Sequence, residues 1–176
     1  MLDLIIKNGK CYIESELKDV DVAIKDGKIH RIGEISEQAK EIISAEDQTV
    51  LPGCIDTQTH FREPGSTDTE DLHSGSRAAI AGGITSVFEM PNTNPSTSTK
   101  VEFQKKLDLA KNRMYCNYAF YFGATADNAK DLASLKDLEG CCGIKLFAGS
   151  STGNLLVAEE DDIDKVFQNS SKVVAV

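Results

Sequence analysis

Gln58, His60 and Arg62 alternate with Thr59 and Phe61 in the run Leu51-Pro52-Gly53-Cys54-Ile55-Asp56-Thr57-Gln58-Thr59-His60-Phe61-Arg62-Glu63-Pro64-Gly65. An apolar segment gives way to alternating polar residues, the pattern of a buried strand whose tip carries chemistry. Side chains alternate across a strand, so Gln58 and His60 point the same way. A neutral imidazole suits a metal such as zinc. Glutamine at the paired position offers only a neutral amide oxygen. Arg62 carries a planar fork that matches a carboxylate, and Glu63-Pro64-Gly65 is a rigid turn suited to hold it. His60 alone reads as a polar loop residue; the whole string reads as a site.

Two further strings carry chemistry at strand ends. Glu89-Met90-Pro91-Asn92-Thr93-Asn94-Pro95 fixes its backbone with prolines and offers amide donors and acceptors. It is either an Asn-Pro turn linking strand to helix or a place where Asn92 bonds a small polar ligand. Lys145 lies inside the apolar run Gly143-Ile144-Lys145-Leu146-Phe147. A buried ammonium must pair, lose its proton or be modified. A neutral lysine adds carbon dioxide to give a carbamate, which reverses its charge and makes it a bridging metal ligand. The plainer reading pairs Lys145 with a carboxylate or lets it snorkel outward. Tyr121 to Thr125 reads as packing and a helix cap, and His30 and His73 read as surface residues.

The elements that must position these residues fall into two parts. Residues 1–50 look like a small β-sandwich unit. Leu2 to Lys7 alternates, and Val20–Lys25 and Lys28–Ile32 flank Asp26-Gly27, a strong hairpin signal. Glu41–Ser44 and Thr49–Leu51 add short strands, with Ser36 to Lys40 irregular between them. In 51–176 strands alternate with helices. The strands are Gly53–Asp56, Thr85–Met90, Tyr115–Phe122, Cys142–Phe147 and Lys172–Val176. The helices are Glu70–Ala81 (capped by Thr67 with Glu70), Lys100–Arg113, Ala126–Lys136 and Glu159–Asn169. That alternation means βαβ units around a parallel sheet. A closed eight-stranded barrel takes roughly 250 residues. The expected fold is therefore α/β: a small β-sandwich unit followed by an incomplete (β/α) barrel of about five parallel strands, ending within a central strand.

Composition narrows the function. A formal net charge of −9 repels phosphate backbones, so nucleic acid is not an expected partner. The first residues have neither the basic region nor the apolar run of a signal peptide or membrane span, which points to a cytoplasmic protein. Five cysteines, odd in number and without a Cys-x-x-Cys pair, read as reduced and mostly buried thiols rather than a disulfide or zinc framework. A reactive Cys142 has only Lys145 as a basic neighbour in sequence.

Taken together, these strings resemble the amino-terminal part of a dihydroorotase, among the cyclic amidohydrolases of the amidohydrolase superfamily. The resemblance is carried by Leu51 to Asp56 with His60 to Gly65, Gly75-Ser76-Arg77-Ala78-Ala79 with Ala81 to Thr85, Met90 to Pro95, and Ile144 to Phe147 with Gly149-Ser150-Ser151-Thr152-Gly153-Asn154. It implies a zinc-dependent barrel that reversibly hydrolyses the cyclic amide of dihydroorotate to N-carbamoyl-aspartate in pyrimidine biosynthesis. By match, His60 is a zinc ligand, Lys145 the carboxylated bridging lysine, and Arg62 and Asn92, beside His60, hold the substrate. Gln58 stands where the family has a metal-binding histidine. The family's later histidines and its general-base aspartate fall after the end of this sequence, so a truncated chain, inactive by itself, is expected. Alternatives are a non-catalytic scaffold for aspartate transcarbamoylase, one part of a split or decayed enzyme, or action on a hydantoin or allantoin ring. Oligomerisation is expected to cover the unfinished sheet.

Overall fold

Asp26 and Gly27 take left-handed φ angles of 53° and 70°, the geometry of the two-residue hairpin turn their sequence signals. In the computed structural model, which describes every residue except Thr152, that turn joins β4 (Asp21–Lys25) to β5 (Lys28–Gly33). With β1 (Leu2–Lys7) and β6 (Ala39–Ser44) they form a four-stranded sheet in the order β5-β4-β1-β6, mixed because β1 and β6 run parallel. Leu2, Ile5, Ala23 and Ile35 bury together in one apolar cluster. A second sheet, β3-β2-β7, contains β2 (Lys10–Ile13), β3 (Glu16–Asp19) and β7 (Thr49–Val50). The β2–β3 hairpin escaped sequence reading because its turn is made by Glu14 and Ser15, at φ 51° and 67°, rather than by glycine or asparagine. Ala39 and Lys40, expected to be irregular, instead begin β6 beside Leu2. These strands belong to a unit covering Met1–Pro52, and the remainder, Gly53–Val176, forms a second.

The second unit is a curled half-barrel of five strands, all parallel, in the order β12-β11-β10-β9-β8. They are β8 (Cys54–Thr59), β9 (Ile84–Glu89), β10 (Asn117–Gly123), β11 (Cys141–Lys145) and β12 (Val174–Ala175). The helices are α1 (Leu72–Ala81), α2 (Lys100–Ala110) and α3 (Glu160–Asn169), with a 3₁₀ helix at Ala129–Leu135. The α/β class and the five-stranded incomplete barrel thus stand as expected. Val87, Phe120, Phe122 and Ile144 face the helical layer, where Phe103 and Leu132 complete the core. Phe88 and Tyr121 meet edge-on at 6.4 Å. A Cβ at Gly143 would stand 3.0 Å from the Tyr121 ring, so a side chain there requires displacement.

Some helix ends differ from expectation. Helix α1 is capped by Asp71, not Thr67: Ser74 N donates to Asp71 Oδ1 at 2.6 Å, and Asp71 N donates to Ser74 Oγ at 3.1 Å. Residues Gly65 to Glu70 are used up in turns, with Thr67 N donating to Gly65 O and Thr69 N to Ser66 O. Helix α2 stops at Ala110 because Asn112 goes left-handed, φ 61°. The segment expected as a helix over 126–136 is instead a short 3₁₀ helix preceded by a reciprocal bond pair between Thr125 and Asn128. The apolar stripe of α2, Phe103, Leu107 and Ala110, packs into the core as its spacing predicts. No helix among the described residues is long and apolar enough to cross a membrane.

Candidate functional site

The end of β8 and the loops after β8 and β9 are built as one piece. Thr59 is buried, pairs with Glu89 in register, and its hydroxyl donates to Phe88 O at 3.3 Å. Alternation then sends its neighbours Gln58 and His60 to the opposite side. The backbone N–H of Gln58 donates to Asp56 Oδ1 at 2.9 Å across a register shift in β8. Gln58 is exposed, and His60, just past the strand, is half-buried. His60 Nδ1 lies 2.9 Å from Asn92 Oδ1. An amide oxygen only accepts, so Nδ1 is the donor, and in the neutral ring this leaves the lone pair on Nε2. Carbonyl partners commonly orient ligating histidines in this way.

The loop that carries Arg62 is pinned from below. The buried Glu63 carboxylate receives both guanidinium nitrogens of Arg113, at 2.7 and 3.1 Å, and the N–H of Leu72 at 2.9 Å. The bond to Glu63 holds the Arg113 guanidinium still further above its ordinary range. Asn94 N donates to Pro64 O at 3.0 Å, and a Cβ on Gly65 would stand 3.0 Å from the Asn94 Cβ. The loops after β8 and β9 therefore pack backbone to backbone. Arg62 itself takes φ 59° and is exposed. It lines a cleft of about 620 Å³ together with Asn92, Thr93, Asn94, Ser96 and Asn154. That size suits a small molecule.

Beneath the cleft floor lies a buried ion pair that sequence reading missed. Glu89, the last residue of β9, pairs with Lys106 of α2, and neither side chain is exposed. Lys106 Nζ also donates to Met90 O at 3.1 Å, holding the start of the Asn92 loop. Burial pushes the Glu89 carboxyl up to about 7 against the pull of Lys106, and burial pushes the Lys106 ammonium down. Lys106 sits between Phe103 and Leu107 on the buried side of α2, and that position was the available signal. Nothing local announces Arg113, which lies 50 residues from Glu63.

Lys145 closes β11 and is 7% exposed. Among the described residues no carboxylate meets it; its Nζ sits 5.0 Å from the centroid of the Phe147 ring. Burial lowers its pKa. Lys145, Gln58 and His60 are not among the residues lining the Arg62 cleft; His60 reaches it only through its bond to Asn92. Thr152, part of the Gly149 to Asn154 string, lies outside the described residues. The cysteines are all free thiols. Cys142 is pushed up to about 12, chiefly by burial, so it stays protonated at neutral pH.

The zinc expectation can be tested on this donor set. His60 offers a free Nε2, and Lys145 is a buried amine without a counter-charge. Gln58 adds only an amide, and no group of three His, Cys, Asp or Glu gathers among the described residues. A catalytic zinc takes three protein ligands. The described residues therefore do not make a complete zinc site.

Residues 49–173 match the amidohydrolase family. The chain is 40% identical over 149 residues to allantoinases of Escherichia coli O1:K1 and of Salmonella choleraesuis, a match covering 84% of this chain and 33% of theirs. Among solved structures it superposes on the L-hydantoinase (dihydropyrimidinase) from Arthrobacter aurescens with a TM-score of 0.89 at 27% identity, covering 99% of this chain and 40% of that one. A D-hydantoinase matches with a TM-score of 0.80, also at 27% identity, over 99% of this chain and 39% of its own. The chain thus spans about a third of the length of the curated relatives it matches.

Proposed function

The chain belongs to the amidohydrolase family, and from that premise we propose that its half-barrel binds a cyclic amide bearing a carboxylate, as in dihydroorotate, and its ring-opened product N-carbamoyl-aspartate. The observation that carries this reading is Arg62, which makes no ion pair or hydrogen bond among the described residues, lining one cleft with Asn92. A guanidinium with its donors free matches a carboxylate in two-pronged fashion. Asn92, whose oxygen already accepts from His60, has its NH₂ donors free to offer a ligand.

The chain's residues bind and orient. Arg62 fixes the carboxylate end of the ring, Asn92 donates beside it, and His60 holds an unprotonated Nε2. Zinc held by His60 and a carbamylated Lys145 together with further ligands would supply water activation and polarisation of the scissile carbonyl. Because His60 and Lys145 are two donors where three ligands are needed, no hydrolytic step is assigned to this chain. In this proposal Lys145 carries a carbamate, formed when its neutral amine attacks carbon dioxide and releases a proton.

A second reading follows from the relatives. The curated proteins matched are named allantoinases and the solved structures hydantoinases, which favours a ring without a carboxylate. A panel of dihydroorotate, allantoin and hydantoin, offered to the purified chain with zinc and bicarbonate, separates these readings. The expected result is saturable binding of dihydroorotate without turnover. Tighter binding of allantoin or hydantoin would move the assignment to the second reading. Turnover lost in His60→Ala would show that these donors suffice for chemistry.

A further inference from the structure

We propose that Asn154, oriented by Ser96, is a third hydrogen-bond donor to the anionic group of the ligand and determines selectivity for an anionic over a neutral ligand. This rests on the reading of the Arg62 cleft given above.

An amide side chain has two ends, one accepting and one donating. Asn154 Oδ1 accepts from Ser96 Oγ at 2.8 Å. Ser96 has a single hydroxyl proton, and it goes to Asn154. The bond between Ser96 Oγ and Ser98 Oγ, at 3.1 Å, must then be donated by Ser98. Ser98 is buried, and its carbonyl accepts from Asn128 Nδ2 at 2.9 Å. A chain of bonds from the loop after β10 thus fixes which end of Asn154 is engaged. Asn92 repeats the arrangement, with its oxygen engaged by His60. Each amide has its oxygen engaged by a protein group, and its NH₂ donors carry no protein bond among the described residues, so the NH₂ group is the end offered to a ligand.

Arg62 is the only ionisable side chain lining this cleft among the described residues. The chain carries a net charge of −9, so a lining free of carboxylates and rich in donors runs against the surrounding charge. Arg62, Asn92 and Asn154 come from the loops after β8, β9 and β11. Donors from separate loops suit an oxyanion with several lone pairs. They suit a neutral ring less well, since its N–H groups need acceptors.

The test measures affinities of N-carbamoyl-L-aspartate and hydantoin by titration calorimetry for the wild-type chain and for Asn154→Ala, Asn154→Asp, Ser96→Ala and Ser96→Thr, with circular dichroism to check folding. Asn154 is exposed, so its variants are expected to fold. Asn154→Ala is expected to lower the ratio of N-carbamoyl-aspartate to hydantoin affinity about tenfold, the effect of losing one hydrogen bond to a charged group. Asn154→Asp is expected to lower it further by placing like charge beside the anion. Ser96→Ala falls between, and Ser96→Thr restores the wild-type ratio. A ratio unchanged in Asn154→Asp overturns the assignment, as does a wild-type chain that binds neither probe or prefers hydantoin. A preference for N-carbamoyl-aspartate that survives Asn154→Asp but is lost in Arg62→Gln overturns the assignment and leaves the reading of the Arg62 cleft standing. Hydantoin preference overturns both.

Discussion

His60 Nδ1 and Asn92 Oδ1 stand 2.9 Å apart, and this bond joins the end of one parallel strand to the loop after the next. It sets the histidine tautomer and orients the asparagine amide. In Asn92→Ala the ring loses its reason to keep the proton on Nδ1. Long-range proton–nitrogen NMR of His60 is expected to show an Nδ1–H tautomer in the wild type and a mixture in the variant. Affinity for N-carbamoyl-aspartate is expected to fall about tenfold, as one charge-assisted hydrogen bond disappears.

Arg113 is expected to matter for stability although it lies outside the cleft. Its fork neutralises Glu63, whose side chain is only 9% exposed. Arg113→Ala leaves that carboxylate without its partner, at a cost of about 2–3 kcal/mol given the partial exposure of Arg113. Arg113→Lys recovers only part of this, because an ammonium cannot engage both oxygens in the same plane. Urea denaturation measures both.

The Glu89–Lys106 pair makes stability depend on pH. Burial raises the Glu89 carboxyl from 4.5 to about 7, so the folded chain holds that proton more tightly than the unfolded chain. The contribution is complete below the unfolded value and is lost as pH rises through the folded one. Lys106, lowered by burial, works in the opposite sense, its contribution returning as pH climbs toward 10.5. Unfolding midpoints are expected to fall between about pH 5 and pH 7.5 and to flatten in the double variant Glu89→Leu, Lys106→Met. Glu89→Leu alone strands a buried ammonium and is expected to cost about 3–5 kcal/mol; the double variant is expected to recover most of it.

Lys145 is buried, lacks a carboxylate partner among the described residues and has a lowered pKa. With ¹³C-bicarbonate, a carbamate carbon resonance is expected in the wild type and not in Lys145→Arg. Its appearance in both would place the modification elsewhere.

The sequence made the scaffold legible where local chemistry is decisive. Asp26-Gly27 announced its hairpin, and Phe103, Leu107 and Ala110 announced the buried side of α2. Gly82-Gly83 announced the end of α1. Boundaries went astray where competing local bonds existed, as when Asp71 with Ser74 displaced Thr67 with Glu70 as the cap. In the cleft, Arg62 and Asn92 could be singled out by residue type and position at strand ends. Their supports could not, because Glu63–Arg113 and Ser96–Asn154 join residues 50 and 58 positions apart. Such contacts are products of the fold, with no periodicity to betray them.

The most direct measurement is the calorimetric affinity of N-carbamoyl-L-aspartate and hydantoin for the wild-type chain and for Arg62→Gln. The expected result is a wild-type preference for N-carbamoyl-aspartate that falls at least about tenfold in the variant, as a charge-assisted contact is lost. Equal or tighter binding of hydantoin, unaltered by Arg62→Gln, would contradict carboxylate recognition by this cleft.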